Sequence, residues 1–237
     1  MRKLKLTNMN MKKLFLALFC ASALFASCDD DEKDDDSNGS NQESQNKDPL
    51  MSEGHEYVDL GLSVGWATVN LGATSPEGTG SGYFWGELDS ISRPHEYSGL
   101  FDEENPTSEI NYDIAGSEFD IVHKKWGGNW QMPTKENWQE LIDNCTFTWK
   151  EFNGKYGYEI KSKKNDNTIF LPAAGDNEYS YYYYDGNPYG SYWTSTPVEG
   201  DSTNYLAYEL TFTEKFIKFS DDYRREGDQS IRPVLKK

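Results

Sequence analysis

The side chains best suited to chemistry in this 237-residue chain are three cysteines and three histidines. Zinc sites and nucleophilic centres group such residues in short motifs, for example HExxH or CxxC, and the sequence contains neither motif. Cys20 and Cys28 lie near the N-terminus, which leaves only Cys145 in the body of the chain. The sequence therefore predicts no disulfide framework, no metal centre and no bound cofactor in the folded part.

Cys28 is the cysteine with the clearest sequence context. Two lysines precede thirteen apolar or small residues, 14–26, and at about 1.5 Å per residue this stretch is too short to cross the ~30 Å hydrocarbon core of a bilayer. Such a pattern is typical of a secretory signal peptide. The small residues directly before Cys28 resemble the lipobox of bacterial lipoproteins, which implies cleavage after residue 27 and acylation of Cys28. An ordinary signal peptide with an incidental cysteine is the alternative.

An acidic, polar segment follows Cys28. Residues 29–36 contain seven acids and one lysine, and Ser, Asn and Gln dominate the next ten positions. Because this composition buries too little apolar surface to offset ordering entropy, we expect residues 28–50 to form a disordered tether. An acidic cluster directly after the lipidated cysteine also resembles the export signal of Bacteroidetes-type surface lipoproteins. That resemblance implies a lipid-anchored protein of the bacterial outer membrane, facing outward; a merely solvated tether is the alternative.

The charge balance excludes two kinds of partner. The chain has 23 basic and 40 acidic residues, a formal charge of −17. Binding to nucleic acid requires a basic face that neutralises phosphates, and electrostatic docking on an anionic membrane surface requires one as well. We therefore expect neither partner.

Aromatic residues concentrate in the segment 179–193, which contains seven tyrosines and Trp193. Side chains alternate along a strand, so consecutive tyrosines face opposite sides and cannot all enter one core. Tyrosine offers a large contact area, a hydroxyl and few rotatable bonds, which suits recognition surfaces. Packing of these rings on a neighbouring loop is the alternative. We predict a ligand-binding surface that comprises Tyr182, Tyr184, Asp185, Asn187 and Tyr189.

One helix and many short strands must position these residues. The clearest helix is predicted over 135–144, where Thr134 can cap the N-terminus and Trp138, Leu141 and Cys145 share one apolar face. Cys145 closes that face, so we interpret it as a small buried hydrophobe. A weaker helix is predicted over 117–125 and a long loop over 87–115. Strands are predicted at 57–62, 66–71, 81–86, 146–152, 156–161, 168–171, 191–195, 205–212, 215–219 and 230–235.

These elements predict an α+β fold with a single domain over residues 51–237. The aromatic content of 15% is high. We expect the following tryptophans to lie in the core: Trp66, Trp126, Trp130, Trp138, Trp149 and Trp193.

Six short blocks in this domain resemble a known family. They read EYVDLGLSV followed by WAT (56–68), GYFWGE (82–87), WGGNWQMPTKENW (126–138), FLPAAG (170–175), GSYWTS (190–195) and SIRPV (230–234). In this order they resemble the Fibrobacter succinogenes major paralogous domain family, which is common on bacterial surface lipoproteins. Gln131 stands where an arginine is usual. The resemblance implies a C-type-lectin-like fold, shared with formylglycine-generating enzymes: a twisted mixed or antiparallel sheet with one or two helices and long loops.

The resemblance does not bring a catalytic site with it. Formylglycine-generating enzymes use a pair of active-site cysteines, whereas this domain has only Cys145. Calcium-dependent lectins of this fold use a Glu-Pro-Asn or Gln-Pro-Asp tripeptide, and neither occurs here. We therefore expect a non-catalytic lectin-like domain that binds an extracellular ligand, either a glycan or a protein. The alternatives are a structural or adhesin subunit of a surface or fimbrial assembly and, third, an enzyme related to formylglycine-generating proteins.

Overall fold

Short antiparallel strands account for most of the regular structure. The computed structural model describes residues 50–88, 109–175 and 187–237, which belong to one compact unit, Asn46–Lys237. Within these residues the strands form three sheets, of five, three and three strands, accompanied by two short helices. The predicted combination of many short strands with one or two helices is confirmed, but the strands divide among three sheets instead of forming one.

The five-stranded sheet brings the end of the chain beside residues near position 60. Its strands are antiparallel and lie in the order β1-β2-β3-β11-β4: β1 (Leu50–Ser52), β2 (His55–Val58), β3 (Val64–Ala67), β4 (Trp130–Gln131) and β11 (Val234–Lys236). The strands predicted at 57–62 and 66–71 each begin two residues earlier and end four residues earlier. The turn at Gly61 ends the first of them, with a φ of 72° and an N–H that bonds to Asp59 Oδ1 at 2.8 Å.

A second sheet is a simple three-stranded meander. Its strands are β5 (Cys145–Phe152), β6 (Lys155–Ser162) and β7 (Thr168–Pro172). Asn153 and Gly154, with φ values of 47° and 80°, form the tight turn between β5 and β6, as their sequence predicted. Alternation along the strands sends Ile160 and Leu171 into the core. Their neighbours along each strand, Glu159 in β6 and Phe170 in β7, therefore point to the opposite face.

The third sheet packs against the second through its central strand. It has the order β10-β9-β8 and consists of β8 (Tyr189–Pro197), β9 (Ala207–Thr213) and β10 (Phe216–Ser220). Phe212 of β9 contacts both Tyr158 and Trp149, at ring-centroid distances of 5.4 and 6.4 Å. The Tyr158 hydroxyl donates to the Thr213 carbonyl at 2.8 Å, so the two sheets share polar as well as apolar contacts.

Both helices begin at side chains that accept backbone N–H bonds. In α2 (Lys135–Asn144), Thr134 and Asn137 form a capping box, as the sequence suggested for Thr134. In α1 (Ile121–Trp126), the buried Asp120 carboxylate accepts from four backbone N–H groups, those of Gly116, Val122, His123 and Met132. Burial raises the pKa of Asp120, while the four donors favour its ionised form. This cap delays the helix to residue 121, four residues after its predicted start.

Two apolar clusters form the core. One contains Trp66, Trp138 and Cys145 with residues of the second and third sheets. The other contains Trp85, Trp130 and Trp193. The prediction that Cys145 is a buried hydrophobe is confirmed, since it is 3% exposed.

Two of the tryptophans predicted to lie in the core are only partly buried. Trp126 and Trp149 are only half-buried and pack at the edges of the clusters. Trp126 is the last residue of α1 and stacks on His55, with ring centroids 3.8 Å apart and planes 8° from parallel. Trp149 stacks near the exposed ring of Tyr156 at the end of the second sheet. The prediction that both lie in the core is therefore wrong.

Two predicted strands are largely absent. Residues 81–86 contribute a single bridge, between Tyr83 and Gln229, and most of 230–235 is extended chain outside a ladder until β11 begins at Val234. The backbone of this last segment makes isolated contacts instead; Trp193 N–H, for example, donates to the Ser230 carbonyl at 3.0 Å. Of the predicted loop 87–115, residues 89–108 lie outside the described residues, as do Cys28 and nearly all of the predicted tether.

Candidate functional site

The predicted tyrosine-rich surface falls partly within the described residues. Tyr182, Tyr184 and Asp185 lie outside them. Asn187 is exposed, and Tyr189 is half-buried at the first position of β8. Gly175 and Asn187 are the described residues on either side of this part of the segment. The N–H of Gly175 donates to the Tyr189 carbonyl at 2.8 Å. The structure therefore places the two described members of the predicted surface at the start of β8.

Tyr192, the last tyrosine of the segment, belongs to the core of the domain. It is fully buried, and its hydroxyl donates to the Pro172 carbonyl at 2.7 Å and accepts from Asn70 Nδ2 at 3.0 Å. Burial raises its pKa to about 12. The ring stacks on Phe212, with centroids 5.9 Å apart. Tyr192 thus links the third sheet to the end of β7 and is unavailable to a ligand.

Arg232 completes this buried polar network. Its guanidinium is fully buried and donates to Asn70 Oδ1 at 2.8 Å and to the carbonyls of Ala67 and Phe170 at 3.0 Å each. Burial lowers the pKa of Arg232 to about 10, still far above neutral pH. A satisfied network of this kind fixes the elements that it joins. Here it holds β7, at Phe170, against the end of β3.

A cleft opens on the outer face of the second sheet, the side away from the core. It has a volume of about 220 Å³ and lies between this face and the loop that follows β3. Thr68 and Pro76 form the wall from the loop. Asn153 Nδ2 donates to Glu77 Oε1 at 3.3 Å and so ties the loop to the turn between β5 and β6. The cleft therefore has walls from two parts of the chain that are distant in sequence.

The floor of the cleft is aromatic. Phe152 and Phe170 contact each other with ring centroids 5.2 Å apart and planes at 49°. Phe170 is 8% exposed, whereas Phe152 is 36% exposed and presents its ring to solvent. Gly157 makes room for this arrangement, because a Cβ there would meet the Phe170 ring at 2.8 Å and also the Leu171 carbonyl oxygen.

One ion pair supplies the charged groups of the cleft. Lys150 Nζ lies 2.6 Å from Glu159 Oε2, and both side chains are more than a third exposed. Such a pair contributes little to stability at this exposure. The pair itself uses one ammonium proton and one carboxylate oxygen, so two protons of Lys150 and one oxygen of Glu159 are left over for other hydrogen bonds. Two threonines, Thr68 and Thr168, also line the cleft.

The remaining reactive side chains stand apart from the cleft. Burial raises the pKa of Cys145, which is typical of an unreactive structural thiol. Burial lowers the pKa of His55, which stacks between Trp126 and the edge of Trp130. Across residues 50–88, 109–175 and 187–237, no three His, Cys, Asp or Glu side chains are grouped closely enough to hold a metal ion. No helix in the same ranges is long and apolar enough to cross a membrane.

Sequence reasoning missed the cleft, although part of its signal was present. The alternation in β5 and β6 indicated which residues leave the core, and hence that Lys150, Phe152 and Glu159 share the outer face. The wall formed by Thr68 and Pro76 had no local signal, because it depends on how a distant loop packs. Comparison of the chain with protein-family models, with curated proteins and with solved structures found no match in any of the three.

Proposed function

We propose that this chain is a lipid-anchored protein of the bacterial outer membrane, whose outward-facing domain binds an extracellular ligand without altering it chemically. The ligand is a glycan or a surface protein. The observation that carries the proposal is the solvent-facing cleft, with an aromatic floor, polar groups at its opening and walls held by a buried network. Concave sites with apolar linings and a few oriented polar groups are typical of ligand binding.

The resemblance to the Fibrobacter succinogenes major paralogous domain family supports this proposal. Four of its motif residues, Trp66, Trp138, Trp193 and Arg232, are fully buried and hold the core together. Buried residues of this kind support a scaffold, and one scaffold can carry different functions on its loops and outer faces. We therefore propose a C-type-lectin-like domain in which the exposed surfaces determine the ligand.

The cleft chemistry favours binding over catalysis. Its one carboxylate, Glu159, is already paired with Lys150, so acid–base catalysis would first have to break a 2.6 Å contact. Cys145, the single cysteine among the described residues, is buried in the core, which does not suit the cysteine chemistry of formylglycine-generating enzymes. These arrangements support a domain that holds its ligand and releases it unchanged.

One observation favours the alternative of a structural or adhesin subunit. Among the described strands, the eight-residue β5 pairs along only one edge, with β6. A free edge of this length is a site at which another chain can add a strand. However, β5 carries adjacent charges, Lys150 and Glu151, and charged residues on an edge strand discourage such pairing. We therefore keep assembly as the second candidate.

Adhesion of intact cells tests the proposal. Cells that produce the full chain are applied to surfaces coated separately with oligosaccharides and with extracellular proteins, beside cells that produce the Cys28→Ala variant. The proposal expects retention on at least one coating by the first cells and loss of retention by the second, because the unanchored variant leaves the surface. Equal retention of both, or of neither on any coating, would contradict it.

A further inference from the structure

The size of the cleft limits what it can hold. Pockets for drug-sized ligands occupy roughly 300–1,000 Å³, and this cleft has about 220 Å³. It is also open to solvent along the outer face of the second sheet. These dimensions suit one ring-sized group that enters the cleft while the rest of a larger molecule stays outside. An end or side unit of a polymer has this form.

The lining is divided between an apolar and a polar side. Phe152 presents an exposed ring that is braced by Phe170 beneath it. A pyranose ring has one face of C–H groups, which packs on an aromatic ring, and a rim of hydroxyls, which requires donors and acceptors. Lys150 supplies donors and Glu159 supplies an acceptor, and hydrogen bonds to charged groups are among the stronger ones. The C–H face of a sugar can therefore pack on Phe152 while its hydroxyls bond to Lys150 and Glu159.

The charges select against acidic sugars. Lys150 and Glu159 cancel each other within the cleft. The chain as a whole carries a formal charge of −17, so its field repels anions such as uronates and sialylated glycans. A neutral sugar meets no such barrier and uses both members of the ion pair.

We infer that this cleft binds a single neutral pyranose unit of a glycan and does so without a metal ion. The inference rests on the proposed function and names the ligand class and the site. Stacking on Phe152 and hydrogen bonds to the Lys150–Glu159 pair provide the contacts. The same cleft cannot serve a purely apolar ligand well, because entry would strip water from both charges.

Binding of the detergent-solubilised full chain to an oligosaccharide array tests the inference. The array presents neutral ends, namely glucose, mannose, galactose and xylose, beside uronate and sialylated ends, in buffer that contains a chelator. Phe152→Ala removes the stacking ring, Phe152→Tyr retains it, and Glu159→Gln removes the charge of the acceptor. Tyr156→Ala is the matched control, because Tyr156 is 46% exposed on the same sheet and belongs to the opposite face.

We expect binding to neutral ends that survives chelation. Phe152→Ala should weaken it at least tenfold, Glu159→Gln several-fold, and Phe152→Tyr and Tyr156→Ala less than twofold, with unchanged thermal unfolding of all four variants. Undiminished binding by Phe152→Ala, binding of acidic ends alone, or loss of binding on chelation would each overturn the inference. Absence of binding to every carbohydrate on the array would also overturn it; the proposed function would stay intact if the cells were still retained on a coating of an extracellular protein.

Discussion

Replacement of Arg232 by methionine tests whether the buried network holds the fold and the cleft together. The side chain is fully buried and donates three hydrogen bonds, to Asn70 Oδ1 and to the carbonyls of Ala67 and Phe170. Methionine fills a similar space but donates none of them. The substitution therefore leaves three buried acceptors without their donor.

The expected cost follows from two opposing terms. Hydrogen bonds to charged groups are worth about 1.5–3 kcal/mol each, so three amount to roughly 5–9 kcal/mol. Removal of the buried guanidinium returns a desolvation cost of several kcal/mol. We expect the free energy of unfolding of Arg232→Met to fall by about 3–5 kcal/mol, a large part of the stability of an ordinary domain.

Denaturant titration measures this loss. Arg224→Met is the matched control, because the Arg224 side chain is 71% exposed and pairs with Glu226 at the surface. Its free energy of unfolding should stay within about 0.5 kcal/mol of the parent. If Arg232→Met costs less than about 1 kcal/mol, the reasoning that the network fixes β7 is refuted, since this is no more than a typical single substitution.

Three further predictions concern the anchor, the tyrosine-rich segment and alkaline pH. Cys28→Ala should move the full chain from the membrane fraction to soluble or unprocessed forms, because acyl chains supply the anchor; membrane association of this variant that persists in high salt would contradict lipidation. If the predicted surface at Tyr182 and Tyr184 binds ligand, replacing both by alanine should weaken binding at least tenfold with an unchanged melting temperature; a large loss of stability would assign these rings to the core. The raised pKa of Tyr192, about 12, against about 10 in the unfolded chain, means that its neutral form stabilises the fold fully below pH 10 and that about 3 kcal/mol is lost as the pH rises toward 12. Denaturant titrations across this range should show that extra loss in the parent and not in Tyr192→Phe, and equal losses would contradict the assignment.

The elements that could be predicted from sequence are those with local signals. The turn at Asn153 and Gly154 joins two strands with clear alternation, and β5 and β6 were placed to within one residue at each end. The cap at Thr134 likewise predicted α2 at its observed bounds. In these segments the intrinsic preference of the chain and its tertiary packing agree.

Where tertiary contacts decide the structure, the sequence was a poorer guide. A strand was predicted over 230–235, but only the end of this segment pairs, as β11. Before that point the Arg232 guanidinium donates to backbone carbonyls of β3 and β7. Trp126 was expected in the core, yet it ends α1 and stacks on His55 near the surface. Both outcomes depend on partners far away in the sequence, which periodicity does not reveal.

The candidate site shows the same division. Alternation predicted β5 and β6 as strands, but it did not indicate a concave surface; the observed pairing of the two strands is what sets Phe152 and Glu159 on one face. The cleft exists because the loop that contains Thr68 and Pro76 packs beside that face and because Gly157 admits the Phe170 ring. Compositional reasoning instead favoured a binding surface in the tyrosine-rich segment, and of the five residues predicted for it only Asn187 and Tyr189 lie among the described residues.

The central claim is that this chain binds an extracellular ligand and leaves it unchanged. Its most direct test is equilibrium binding of the purified full chain, in detergent, to neutral oligosaccharides and to extracellular proteins, with mass spectrometry of the recovered ligand. The claim predicts saturable binding to at least one of them and a ligand of identical mass before and after incubation. Turnover of the ligand, or the absence of saturable binding across both classes, would contradict it.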